Sequence, residues 1–432
     1  MTKVYYPPDS PNLVRFPVYA APLFIGLVSG IKIVAVGELF LGEPMAIAYF
    51  LSRLHGARLT NQERWFGVLA VSWSLAQLLS DIVNNTAPLD LVKGVLAPLV
   101  FAFTTLGMII YFRKSFARMP SFLIGVSAAA CINIFTLPTH YFVEYNKWKW
   151  GAGIIVLSLL LLYYSFFKRN KSNQFLMLGL LGFLLISLHN NARILGVLPV
   201  LAGIAYFIFV NSRTSFFLRF FLGRRKLLKA LAVAVPFVVL LNYSASAVFS
   251  YEPVLRLFPE DVAEKYRSQA SNPYGMLFAG RTEFLISTRA FLDKPVLGHG
   301  SWAIDDGTYI PDYLRLRYLY GVDEFQWREA SYSSRLIPAH SFLMGSLVWS
   351  GMLGGVFWIY VFYISARAFL RNLAYLPVYF YNGFFFLLWD ILFSPFGALT
   401  RWSSALILAP LLAYVYIMQR QIHESKLKRF SP

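Results

Sequence analysis

The chain has 432 residues, of which 57% are hydrophobic, 18% are aromatic and only 14% are charged. Soluble globular proteins carry roughly 25% charged residues, so this composition excludes an ordinary soluble protein and indicates a membrane protein with several apolar helices. The net charge of +18 would suggest nucleic-acid binding in a soluble protein. Here the basic residues lie in short segments between apolar runs, as cytoplasmic anchors do, and we expect no nucleic-acid partner. The single cysteine, Cys131, excludes a disulfide framework.

Apolar runs follow one another along the chain and predict about twelve transmembrane helices in an all-α, polytopic membrane protein. A span needs roughly 17–25 residues, so the shorter runs would borrow residues from their flanks. The lengths of the first two runs leave open whether both span. The first stretch, "MTKVYYPPDSPNLVRF", lacks the pattern of a signal peptide and is predicted to be a cytoplasmic tail. The predicted helices are residues 15–36, 38–52, 65–80, 90–112, 120–139, 150–167, 173–188, 194–210, 227–249, 341–365, 373–393 and 403–418.

The segments that connect these runs alternate in charge. Segments such as "RKSFAR", "KRNK", "ARAFLR" and "RQIHESKLKR" are rich in lysine and arginine, whereas "DIVNNTAPLD" is acidic and "SLHNNAR" carries little net charge. By the positive-inside rule, the basic set and both termini face the cytoplasm. The other set is predicted to face the periplasm or the cell exterior.

One external connection is far longer than the rest and divides the chain into three parts. Residues 1–249 hold helices one to nine, residues 250–339 form a large loop, and residues 340–432 hold the last three helices and a tail. The loop contains 12 of the 21 acidic residues and 10 basic residues, and loops of this length are usually functional or structured. Within it, "GRTEFLISTRAFLDKP" predicts an amphipathic helix that ends at Pro295.

Four residues on the predicted external side are candidates for chemistry. His340 begins the tenth helix, Arg193 lies in the short turn between helices seven and eight, and Arg281 and Arg289 lie eight residues apart in the loop. An arginine near the membrane interior costs roughly 2.5–3.5 kcal/mol on insertion scales, so it usually has a partner or a function. The alternatives are structural. Arg193 would snorkel to the interface, the loop arginines would line a solvated helix face, and His340 would be an interfacial histidine.

Two stretches of the chain resemble a known family. In "GRTEFLISTRAFLDKPVLGHGSW" an arginine precedes an amphipathic helix and the pattern Pro-x-x-Gly-x-Gly follows, here Arg281, Pro295, Gly298 and Gly300. About forty residues later, "AHSFLMGSLVWSGMLGG" places His340 and Ser341 at the head of a glycine-rich helix. This arrangement, over roughly residues 280–360, is similar to the O-antigen ligase and polysaccharide polymerase superfamily.

The resemblance implies a metal-independent glycosyltransferase with a GT-C-like membrane fold and no cofactor. The donor would be a glycan on undecaprenyl diphosphate. The acceptor would be a sugar hydroxyl, either on lipid A-core in an O-antigen ligase, which we expect, or on a second lipid-linked glycan in a polymerase, which is the alternative. His340, Arg193 and Arg281 would be the catalytic residues, with Arg193 matching an upstream arginine of the family. The implied location is the bacterial inner membrane, with the active site facing the periplasm.

The chemistry of these side chains agrees with that reaction. Arginines hold phosphate oxygens with paired, charge-assisted N–H bonds, and positive charge placed at a departing diphosphate lowers the barrier. A neutral histidine, whose ordinary pKa is near 6.5, suits a general base for a sugar hydroxyl. In-line attack opposite the diphosphate would invert the anomeric configuration. We expect Arg289, Arg335 and Arg401 to contribute to substrate binding.

Other interpretations stay open at this point. Asp305, Asp306 and Asp312 lie close together in "AIDDGTYIPD" and offer oxygen ligands for a divalent cation, although turns are rich in aspartate in any case. Asp390 and Arg401 flank the last external turn and would either pair or contact substrate. A transporter also has many helices with intramembrane glycines, but the sequence contains no half-to-half repeat, and its middle spans are poor in acidic residues. A scaffold protein would leave the family pattern unexplained.

Overall fold

The computed structural model describes residues 18–34, 37–56, 58–114, 116–138, 142–143, 146–167, 173–211, 236, 239–240, 242–271, 283–319 and 335–430. The predicted cytoplasmic tail at the start of the chain, most of the predicted ninth helix and Arg281 lie outside these residues. Everything below concerns the described part of the chain.

This part of the chain is mainly helical, with one small antiparallel sheet in which Lys32 pairs with Phe40 and Val34 with Glu38. The elements before the large loop are α1 (Ala20–Ser29), β1 (Lys32–Val34), β2 (Glu38–Phe40), α2 (Gly42–Arg53), α3 (Asn61–Val83), α4 (Pro88–Lys114), α5 (Met119–Thr136), α6 (Gly153–Leu162), α7 (Asn173–His189) and α8 (Arg193–Tyr206). The loop contains α9 (Glu252–Leu255), α10 (Glu260–Ala270), α11 (Glu283–Asp293) and α12 (Tyr309–Leu319). The last elements are α13 (Phe342–Ser350), α14 (Met352–Arg371), α15 (Val378–Phe393) and α16 (Ala398–Phe430).

Seven helical segments of this part are long and apolar enough to cross a membrane. Three further helices, α1, α7 and α15, are apolar but shorter. The described residues are therefore mainly helical and contain seven candidate membrane spans, where about twelve helices were predicted over the whole chain. The seven segments are Asn61–Val83, Pro88–Lys114, Phe116–Thr136, Trp148–Phe167, Arg193–Val210, Met352–Arg371 and Ala398–Glu424.

The first two predicted spans differ from the prediction. α1 and α2 have only 10 and 12 residues, about half of what a span needs, and β1 and β2 join them as a hairpin. The sequence between them explains this, because Gly30, Gly37 and Gly42 interrupt a short run rich in β-branched residues. Lys32 also binds Glu38 across the hairpin at 3.0 Å. Two short helices thus replace two predicted spans.

Glycines allow these short helices to pack closely on the long ones. α1 lies along α5, where a Cβ atom at Gly26 or Gly125 would collide with the backbone of the facing helix. α2 lies along α4, and a Cβ atom at Gly107 would collide with Ala46. Close backbone approach through small residues is typical of helix packing in membranes. The N-terminal helices are therefore part of the bundle although they are short.

The predicted tenth helix is two helices. α13 ends at Ser350 and α14 begins at Met352, because Gly351 between them has φ +67°. The apolar sequence continues through this point, which is why hydropathy predicted one helix. A left-handed backbone conformation is readily adopted only by glycine.

The large loop packs into this break. The N–H groups of His299 and Gly300 donate to the carbonyl oxygens of Val348 and Trp349 at 2.7 and 3.0 Å, and the Met352 N–H donates to Pro295 O at 2.9 Å. The turn between Pro295 and Gly300 thereby satisfies backbone groups that the break removes from the helix. Irregular backbone within a membrane protein is tolerated only where such partners exist.

Asp81, near the end of α3, fixes the same turn to the rest of the bundle. Its buried carboxylate accepts the backbone N–H of Ser301 at 2.5 Å and the Ser301 hydroxyl at 2.8 Å. It also accepts from Thr86 Oγ1 at 3.1 Å and Gln77 Nε2 at 3.2 Å. At the other end of α3, the Tyr360 hydroxyl donates to Gln62 O at 2.9 Å. The loop therefore docks at the end of α3 that leads into the predicted external segment "DIVNNTAPLD".

The break yields a prediction about stability. A Cβ atom at Gly351 would collide with Val296 O and face a strained φ, whereas a Cβ atom at Gly345 would approach only Ala339 O, at 3.8 Å. We expect Gly351→Ala to destabilise the protein by about 1–3 kcal/mol or more. Gly345→Ala, inside α13, should leave stability unchanged or raise it by up to about 1 kcal/mol. Thermal unfolding in detergent measures both, and equal midpoints for the two variants would contradict the docked turn.

Candidate functional site

His340 lies just outside α13, as the sequence predicted. The next residue, Ser341, is the N-cap of that helix. Its Oγ accepts the Met344 N–H at 3.1 Å and donates to Ile391 O in α15 at 2.8 Å. Ser341 is buried, whereas His340 is exposed. The serine thus fixes the start of the helix against α15. The histidine before it is exposed at the N-terminal end of α13.

His340 is one of the residues that line a small pocket, and the loop helix α11 contributes other lining residues. Ser287 of α11 lies with its Oγ 2.7 Å from the carbonyl oxygen of Pro338, which holds α11 against the segment leading to His340. Glu283, in the first turn of α11, has a buried carboxylate oxygen, Oε2, without a hydrogen-bond partner. The residues that line the pocket are Glu283, Phe284, Ser287, His340, Ser341, Met344, Leu392 and Phe393.

Arg193 belongs to a second cluster, formed by the start of α8 and by α10. Its guanidinium lies 5.0 Å from the centre of the Tyr266 ring, and the fully buried Tyr266 donates its hydroxyl to Leu188 O at 3.1 Å. Burial raises the pKa of Tyr266 to about 12, and the positive charge of Arg193 acts in the opposite direction. The loop therefore contacts this guanidinium through a cation–π interaction.

The other predicted arginines differ in their surroundings. Arg289 of α11 is half-exposed and forms an ion pair with Asp312 of α12. Arg335 is exposed with φ +45°, and its carbonyl oxygen accepts the Asp305 N–H at 2.7 Å. Both lie in the loop, where they remain able to contact a ligand. Arg281 is outside the described residues.

Arg401 is buried and bound within the bundle. Its Nε and Nη2 atoms donate to the two carboxylate oxygens of Glu43 at 2.6 and 3.0 Å, and Nη2 also lies 3.2 Å from Glu38 O. The sequence left open a pair between Arg401 and Asp390, but the acidic partner found is Glu43 of α2. This buried, bidentate ion pair links α16 to α2, and the bond to Glu38 O links α16 to β2 of the hairpin.

The three aspartates considered as metal ligands have other partners. Asp305 accepts the N–H groups of Tyr309 and Ile310 at 2.9 and 2.8 Å, in the first turn of α12. Asp306 accepts the Thr308 N–H at 3.1 Å, and Asp312 binds Arg289. Within the described ranges, no group of three or more histidine, cysteine, aspartate or glutamate side chains is arranged to hold a metal ion.

His299, which the sequence did not single out, is half-buried at the docked turn. Its Nε2 lies 2.8 Å from Ala290 O and therefore carries the proton, since a carbonyl only accepts. Its ring packs edge-on against the Tyr309 ring, with 5.5 Å between the ring centroids. The Tyr309 hydroxyl donates to Asp293 at 2.8 Å. Burial lowers the pKa of His299 below its ordinary value of 6.5, although the bond to Ala290 acts in the opposite direction. His299 is thus neutral in the fold and holds α11 to the turn.

Sequence reasoning also missed three acids, Glu43, Asp81 and Glu283. Arg401 and Ser301, which bind Glu43 and Asp81, are distant in the chain, and Glu283 Oε2 has no partner among the described residues, so no local pattern indicates these roles. The usable signal for Glu43 and Asp81 is an acid inside or next to an apolar run, which is costly in a membrane and usually has a specific role. Comparison of the chain with protein-family models, with curated proteins and with solved structures finds no match.

The state of His299 generates a prediction about pH. Because its pKa is lower in the folded protein than in the unfolded chain, the unfolded chain binds the proton first. The stability that depends on neutral His299 is complete above pH 6.5 and is lost as the pH falls through the range between the two pKa values.

We therefore expect the thermal midpoint of the wild type to drop more between pH 7.5 and pH 5 than that of His299→Gln. The glutamine amide can still donate to Ala290 O but does not titrate in this range. His423→Gln is the control, since His423 is exposed on α16. If His299→Gln loses stability on acidification as steeply as the wild type does, the assigned state of His299 is wrong.

Proposed function

We propose that the protein transfers a glycan from a lipid-linked diphosphate to a sugar hydroxyl, with inversion at the anomeric carbon. The observation that carries this proposal is the exposed His340, which directly precedes the N-cap of α13 and lines a small pocket together with Glu283, whose Oε2 atom is buried. A lipid-anchored diphosphate would lie at the membrane–water interface, where such a helix end is expected. The resemblance of residues 280–360 to the O-antigen ligase and polysaccharide polymerase superfamily supports the same reaction.

In the proposed reaction His340 is the general base. As the acceptor oxygen attacks the anomeric carbon, its proton moves to the imidazole and the bond to the diphosphate oxygen breaks. The diphosphate leaves with an increased negative charge. Positioned proton transfer of this kind contributes typically 10²–10⁴-fold in rate. No metal ion is required where arginines neutralise the leaving group.

Arg193 and Arg281 are the proposed diphosphate ligands, with Arg289 and Arg335 as further substrate contacts. Tyr266 makes a cation–π contact with the guanidinium of Arg193, and the planar guanidinium suits bidentate binding of phosphate oxygens. Arg401 is bound by Glu43, so a direct role in substrate binding would require that pair to open. We assign it to the support of the bundle.

The proposed location is the bacterial inner membrane, with both termini in the cytoplasm and the loop in the periplasm, as the charge alternation indicates. The proposed acceptor is lipid A-core, as in an O-antigen ligase. A polymerase would use the same chemistry with a second lipid-linked glycan as acceptor. Loss of the gene separates the two, since a ligase mutant accumulates long unattached chains and a polymerase mutant carries short unpolymerised glycans.

The base role of His340 is tested by His340→Ala. We expect the rate of glycan transfer to fall about 10²–10⁴-fold, with the thermal midpoint and the affinity for the donor near wild-type values, because His340 is exposed and caps no helix. Initial rates with an undecaprenyl-diphosphate-linked glycan and lipid A-core in nanodiscs provide the measurement. His423→Ala is the control on the other side of the chain's apolar spans, and transfer by His340→Ala at the wild-type rate would remove histidine from the mechanism.

The diphosphate role of Arg193 is tested by Arg193→Lys. The substitution keeps the charge but loses the planar fork and the ring stacking, so we expect both weaker donor binding and a lower rate. Arg267→Lys is a matched control, because Arg267 is half-exposed on the same α10 helix as Tyr266 and pairs with Glu252. Donor affinity and rate are measured as for His340→Ala. Wild-type values for Arg193→Lys would make Arg193 an interfacial anchor only.

A further inference from the structure

The buried carboxylate oxygen of Glu283 has no partner within the described part of the chain. Desolvating a polar group without a hydrogen bond destabilises a protein, and more so when the group is charged. Buried polar atoms are nearly always paired in native proteins, so an exception requires an explanation. No hydrogen-bond donor among the described residues explains the burial of this oxygen.

The position of Glu283 at the start of α11 is not a sufficient explanation. A carboxylate in the first helical turn is favourable next to the N-terminal N–H groups, but an exposed carboxylate achieves this without losing its water. The nearest hydroxyl of the same helix, Ser287, lies 2.7 Å from Pro338 O and 2.8 Å from Glu283 O, so its proton is directed at backbone carbonyls. Glu283 is also one of the residues that line the same small pocket as His340.

We propose that Glu283 is an acceptor-binding residue whose Oε2 accepts a hydrogen bond from a sugar hydroxyl of the acceptor. This inference rests on the proposed glycan transfer and names a residue that places the acceptor beside His340. A carboxylate oxygen that has no partner among the described residues is complementary to a hydroxyl-rich ligand, and its bond to such a ligand is charge-assisted. The unpaired oxygen destabilises the free protein, and the hydrogen bond from the bound sugar removes this destabilisation.

The test is acceptor binding by Glu283→Gln, measured with lipid A-core incorporated into nanodiscs, and in a second arm with a lipid-linked glycan as acceptor. We expect affinity for the acceptor to fall about 10-fold or more, since a hydrogen bond to a charged group is worth about 1.5–3 kcal/mol. The dependence of the transfer rate on donor concentration should stay unchanged. Glu264→Gln is the matched control, because Glu264 carries the same charge on an exposed face of α10 in the same loop.

A second measurement separates ligand binding from a structural role. If Glu283 serves the ligand, Glu283→Gln should leave the thermal midpoint of the ligand-free protein unchanged or raise it, because the variant no longer buries an unpaired charge. A lowered midpoint, or unchanged acceptor affinity, would overturn the assignment.

The same experiment distinguishes this inference from the proposed function. A wild type that binds lipid A-core without transferring glycan would overturn the proposed transfer, while the assignment of Glu283 would still be judged by binding. A wild type that transfers glycan with a Glu283→Gln variant of wild-type acceptor affinity would overturn only the assignment. A wild type that binds neither acceptor would overturn both.

Discussion

The structure depends on how two carbonyl groups at the end of α13 are satisfied. In an unbroken helix, Val348 and Trp349 would bond to N–H groups of α14, but Gly351 turns the chain away and the N–H of Met352 bonds to Pro295 instead. The N–H groups of His299 and Gly300 replace the lost helical donors. Because unpaired backbone groups cost several kcal/mol away from water, the loop is an integral part of the bundle, and the position of α11 beside His340 follows from it.

This arrangement separates residues that hold the loop from residues that face the pocket. Gly298 and Gly300 have φ values of +73° and +90°, and at Gly298 a Cβ atom would collide with the Trp349 backbone. Their glycine character is explained by docking alone, and so is the choice of serine at the N-cap of α13. Within residues 283–319 and 335–360, docking explains neither His340 nor Glu283, the two side chains to which we assign a chemical role.

The sequence predicted what depends on neighbouring residues and missed what depends on distant ones. Hydropathy and helical spacing located the long helices, α11 and the place of His340 at a helix start. The pairs Asp81 with Ser301 and Glu43 with Arg401 join residues 220 and 358 positions apart, which no local period encodes. Hydropathy also failed at Gly351 and in the N-terminal hairpin, because an apolar average does not register a single left-handed glycine or a change from helix to strand.

The buried acids of the bundle give the reason to regard Glu283 as functional. Glu43 is bound at both oxygens by Arg401, Glu63 accepts from Arg113 and from the Thr60 N–H, and Asp81 accepts from four donors. These three show that the chain supplies complete sets of donors where a carboxylate serves packing. Among the described residues, no donor reaches Glu283 Oε2, although Ser287 lies one helical turn away, where its hydroxyl donates to backbone carbonyl oxygens. Unfavourable local interactions are expected at functional sites, and Glu283 lines the same pocket as the exposed His340.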